Sequence, residues 1–65
     1  MSDFASNLKK LRKSKKMTQE ELALNIGVGK STISMYESGA REPNFETLEI
    51  IADYFNVNLD LLVTG

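Results

Sequence analysis

The chain has no cysteine and no histidine among its 65 residues. Without cysteine there is neither a disulfide nor a thiolate metal site. The missing histidine removes the usual general base and the commonest metal ligand, so catalysis and a bound metal are not expected. No apolar run approaches the roughly 18 residues that a membrane span needs, and no signal peptide is read at the start. A single cytoplasmic domain over residues 1–65 is therefore expected, held together by packing alone and near the lower size limit for independent folding. No cofactor, small-molecule ligand or membrane partner is implied.

The chain is also short of cations in its second half. All eight Lys and Arg lie in residues 1–41, against four acids, whereas residues 42–65 hold five acids and no base. A net charge of −1 thus conceals one basic end (+4) and one acidic end (−5). A molecule so polarised can dock on phosphate with the basic end. Residues 27–34, GVGKSTIS, suggest a P-loop, but that motif needs a glycine five positions before the Gly-Lys pair, and Leu24 stands there. It also needs a strand–helix sheet, whose smallest unit takes about 30 residues. A nucleotide-binding enzyme is set aside on both grounds.

Apolar spacing gives five short helices. Phe4, Leu8, Leu11 and Met17 form the first stripe, with Asp3 as the expected N-cap. Thr18-Gln-Glu-Glu21 is a capping box that starts the second helix, whose inward face is Leu22, Ala23 and Ile26. Gly27 is its expected left-handed C-cap, and Gly39 ends a third helix that opens near Gly29. Asn44 caps a fourth, with Phe45, Leu48, Ile51, Ala52 and Phe55 on one face. Asn58 precedes a leucine-rich fifth. Connections of two to five residues predict an all-α, compact five-helix bundle.

Two short helices around a glycine turn, over about residues 18–38, have the form of a helix-turn-helix, whose second helix enters the DNA major groove. At 100° per residue, Lys30, Ser31, Ser34, Met35 and Ser38 share one arc of about 140°. That face is polar and small or flexible, while Ile33 and Tyr36 face the other way.

The run from Thr18 to Leu62 resembles the helix-turn-helix domain of the Cro/C1-type phage repressors and their bacterial relatives. The resemblance rests on Thr-Gln-x-x-Leu-Ala, the glycine turn, Ser-Thr-Ile-Ser-x-Tyr-Glu-x-Gly and a proline-led fourth helix, in that order. It implies a lambda-repressor-like fold and a transcriptional regulator, as a repressor occupying a palindromic operator on double-stranded DNA as a homodimer. It further implies base contacts from Lys30, Ser31, Ser34 and Met35, and phosphate contacts from Thr18, Gln19, Ser38 and Arg41. Arg12 and Glu37 match an inter-helix salt bridge, Ala23 a small residue where two helices cross, and Gly27 the turn glycine. Gln19 matches a residue that also braces the recognition helix.

Two positions depart from the family pattern. Gly29 stands where Ser or Thr is common, so the third helix loses a side-chain cap, at a cost of roughly a few tenths of a kcal/mol. Met35 replaces Gln or Arg and suits a thymine methyl, which leaves Lys30 as the main donor, for a guanine edge. Ile50 sits among Glu46, Glu49 and Asp53 on the fourth helix and, with the C-terminal leucines, offers a surface to a second subunit. The competing reading from the same scaffold is a protein-docking module, of the antitoxin or partner-docking kind, with no operator of its own.

Overall fold

The computed structural model describes residues 2–64, which form α1 (Ser2–Ser14), α2 (Gln19–Ile26), α3 (Lys30–Ser38), α4 (Phe45–Phe55) and α5 (Leu59–Thr64). Each begins or ends on a local device. At α2, Thr18 accepts from the Glu21 amide (3.0 Å) while its own amide donates to the Glu21 carboxylate (2.8 Å), completing the capping box. Asn44 accepts from Thr47 at the head of α4, and Asn58 from Leu61 at the head of α5. Gly29 caps α3 with no side-chain bond. Asp3 is not a cap: α1 starts before it and carries it inside the first turn, where a carboxylate favours the positive end of the helix dipole.

The four exits share one geometry. Residues Lys16, Gly27, Gly39 and Asn56 all adopt positive φ, from 56° to 81°. The amide that follows each of them then reaches back five residues, as in Met17 to the Arg12 carbonyl (3.2 Å) and Val57 to that of Ala52 (3.0 Å). This is the Schellman closure, with Met17, Val28 and Val57 tucked against the core just beyond the turn. It reverses the chain within a few residues. Three connections take three or four residues, and the α3–α4 loop takes six, 39–44, one more than expected.

Every helix feeds the same core. Phe4 and Leu8 come from α1, Leu22, Ala23 and Ile26 from α2, Ile33 and Tyr36 from α3, Ile51, Ala52 and Phe55 from α4, and Leu62 from α5. Phe4 and Tyr36 meet edge to face at 6.0 Å, tying α1 to α3. Asn7 of α1 donates to the Leu61 and Leu62 carbonyls (3.3 and 3.0 Å), satisfying the open end of α5. The radius of gyration, 10.2 Å, is close to the roughly 10.7 Å that this length gives for one compact domain. Phe45 departs from expectation, being 62% exposed. It is the first residue of α4, and helical side chains lean toward the N-terminus, so its ring projects past the end of the helix instead of onto the core. Among the described residues, no helix is long and apolar enough to cross a membrane, and no three metal-ligating side chains cluster.

Candidate nucleic-acid interface

The back of α3 is fixed before its front is considered. Ile33 and Tyr36 are buried, and beside them the Glu37 carboxylate accepts three hydrogen bonds. Arg12 donates two of these in a fork, Nε to Oε2 at 2.7 Å and Nη2 to Oε1 at 3.1 Å; Gln19 Nε2 donates the third to Oε1 at 3.1 Å. The remaining Arg12 nitrogen, Nη1, donates to the Met17 carbonyl at 2.7 Å. Glu37 and Arg12 together therefore join the end of α1, the α1–α2 turn, the start of α2 and the last turn of α3.

Burial makes this junction matter. The Arg12 and Glu37 side chains are only 11% and 4% exposed, and no buried side-chain nitrogen or oxygen among the described residues lacks a partner. The hydrogen bonds to Glu37 raise the guanidinium pKa above its ordinary value, outweighing the desolvation that opposes them, and the ionic attraction adds to the rise. Arg12 thus stays charged at any pH at which the chain folds. A forked pair with every guanidinium nitrogen engaged is also a geometric constraint, since a lysine has no such fork.

With its back held, α3 presents Lys30, Ser31, Ser34 and Ser38 to solvent. Met35 lies at the edge of this face and is half-buried, as its place at one end of the 140° arc requires. Ser38 is also spoken for: its hydroxyl donates to the Met35 carbonyl (3.1 Å) and accepts from the Ala40 amide (3.3 Å). Arg41 is exposed in the loop beyond. Thr18 is exposed, and its oxygen accepts within the capping box, which leaves the hydroxyl hydrogen to donate outward. Gln19 is half-buried and has given one amide hydrogen to Glu37, so a second remains. Ala23 is buried in α2, which packs on α3, and Gly27 has a left-handed φ of 81°. The expected residues therefore fall into an outward row on α3 and a brace behind it.

Sequence reasoning missed three contributors. The Met17 carbonyl is the third anchor of Arg12, Lys16 makes the turn that puts it there, and Asn7 ties α1 to α5. For the first two the local signal is weak, because Lys16 holds the left-handed position where Gly or Asn is usual, and only the apolar Met17 just beyond it points to a Schellman exit. Nothing local marks Asn7, because its partners lie more than fifty residues away.

Two short helices packed on one another, a three-residue turn and a braced second helix with a polar outer face define a helix-turn-helix module. A helix-turn-helix family model matches residues 8–62, and the chain belongs to that family, in its Cro/C1-type branch. It is 44% identical over 62 residues to the uncharacterized HTH-type transcriptional regulator YqaE of Bacillus subtilis (strain 168), covering 95% of this chain and 53% of that protein. Over 61 residues it is 41% identical to the cryptic phage CTXphi transcriptional repressor RstR of Vibrio cholerae, covering 94% of this chain and 55% of the repressor. The solution structure of the SOS-response transcriptional repressor LexA from Eubacterium rectale superposes with a TM-score of 0.90 at 32% identity, over 97% of this chain and 67% of that one. The chain thus spans about half the length of these two curated relatives.

Proposed function

We propose that this chain is the sequence-specific, double-stranded DNA-binding module of a transcriptional regulator, acting as a repressor that occupies a palindromic operator as a dimer. The observation that carries the reading is the division of α3 into a back held by Glu37 and a front left to solvent. A rigid helix with small or flexible polar residues outward can enter the major groove without steric conflict.

The work divides between positioning and reading. Thr18 and Gln19, with their spare hydrogens, and Arg41 contact phosphate and set the register. Ser38 reaches the backbone only by giving up its bond to the Met35 carbonyl, so its share is the smallest. Lys30 donates to a guanine O6/N7 edge, Met35 lies against a thymine methyl, and Ser31 and Ser34 fill the space between. One module this small gives a small interface, so useful affinity calls for two half-sites about one helical turn apart.

Selection from a random duplex pool at near-physiological salt tests this. An inverted repeat with half-sites about ten base pairs apart, bound at least about a thousandfold more tightly than a scrambled duplex, is the expected outcome. If no sequence is enriched even by a fused dimer of the chain, the scaffold serves to dock protein and the reading fails.

A further inference from the structure

We propose that the groove between α1 and α5, together with the acidic stripe of α4, is a twofold-symmetric interface between two copies of this chain. The inference rests on the dimeric reading above and names the surface that reading leaves open. The groove is lined by Asn7, Lys10, Leu11, Val57, Leu61 and Leu62. Its polar group at the floor is already used, because the Asn7 amide is bonded to the Leu61 and Leu62 carbonyls. What remains is apolar surface, including a Leu61 that is 52% exposed, with one ammonium group, Lys10, at the rim.

The stripe on α4 has the opposite make-up. Glu46, Glu49, Ile50 and Asp53 are all exposed and fall within about 100° of one another around the helix. Ile50, 48% exposed, is therefore an apolar knob at one edge of a stripe of carboxylates. Neither Lys10, Glu49 nor Asp53 has an ionic partner among the described residues. The two surfaces are also continuous. A second hollow, lined by Glu49, Ala52, Asp53, Val57, Asn58 and Leu59, shares Val57 with the groove.

A twofold axis near Val57 would bring each surface onto the other. An isologous interface requires that one patch contain both halves of the match, and this one does. Ile50 of one copy would enter the apolar groove of the other, and Lys10 would meet Glu49 and Asp53 of the partner subunit. Other occupants fit half of the patch at best. A polyanion would be repelled by the stripe, and a basic peptide would satisfy the carboxylates while leaving Lys10 opposed by like charge. A second copy satisfies both.

Charge exchange tests the pairing, read by sedimentation equilibrium without DNA and by band shift on the selected duplex. Lys10→Glu should weaken self-association by about tenfold or more, because a rim attraction becomes a repulsion at two equivalent sites. The pair Glu49→Lys and Asp53→Lys should do the same, and all three together should restore most of the loss. Ile50→Glu should abolish association at micromolar concentration. Thermal melts of each variant confirm that it folds. A dimer whose strength ignores all of these changes, or a triple variant no better than its parts, would overturn the interface while leaving the dimer standing. A chain that stays monomeric both free and on the duplex overturns the dimeric reading and the interface with it.

Discussion

Lys30 is the one formal cation on the outward arc of α3, and the other reading positions are two hydroxyls and a thioether. Base discrimination should therefore be concentrated at one position of the half-site. Lys30→Ala is expected to flatten the preference there, with about 1–3 kcal/mol of discrimination lost, while the remaining positions keep theirs; affinities for a panel of single-base operator variants would reveal this. Arg41→Ala should weaken all sequences alike and lower the salt slope by about one, as a phosphate contact does. Glu37 belongs to a different kind of residue, since it touches no base in this arrangement. Replacing it with alanine strands a mostly buried guanidinium and should cost about 3 kcal/mol, against a total of roughly 3–10 kcal/mol for a chain of this length. Urea denaturation would measure that loss directly. The double variant with Arg12→Ala should cost much less than the two losses added, because the second change removes the charge that the first left unpaired.

Helix termini carry much of the chain's local instruction, and they mark the limit of what its letters disclose. The capping box at Thr18, the glycine exits at Gly27 and Gly39 and the asparagine cap at Asn44 are all legible, because each depends on residues within one turn of the cap. The left-handed turns at Lys16 and Asn56 are not legible in the same way. They are stabilised by Met17 and Val57 settling on a core whose other walls lie far along the chain. Phe45 fails for a related reason: period alone puts it on the inward face, but only the position of the α4 start against the core decides whether that face has a neighbour. Within the candidate site, the outward arc of α3 follows from helical spacing, whereas the third hydrogen bond to Glu37 needs the tertiary approach of Gln19. These exits give a pair of opposite expectations. Lys16→Gly should raise stability by about 1 kcal/mol, relieving a side chain held at φ 56°. Gly27→Ala should lower it by about as much, although no atom lies within 4 Å of the added methyl, because its φ of 81° is itself the obstacle. Melting temperatures of the two variants decide both.

The molecule as a whole is divided by charge, with every cation in the first 41 residues and a surplus of acid beyond. DNA association should then be steep in salt: neutralising about four phosphates loses about a hundredfold in affinity between 50 and 200 mM. A titration that found less than about a fivefold change would exclude the phosphate contacts assigned above. The division also orients the chain, since the acidic α4 is repelled by the same backbone that draws the lysines of α1. A last consequence concerns how such a domain diversifies. Because the clamp on α3 acts wholly from behind, the side chains of Lys30, Ser31 and Ser34 make no hydrogen bond or ion pair among the described residues, and their replacement should leave the architecture unaltered. A lineage carrying this scaffold is free to drift among operators by changing three or four letters, with selection for folding and selection for address acting on separate sets of residues.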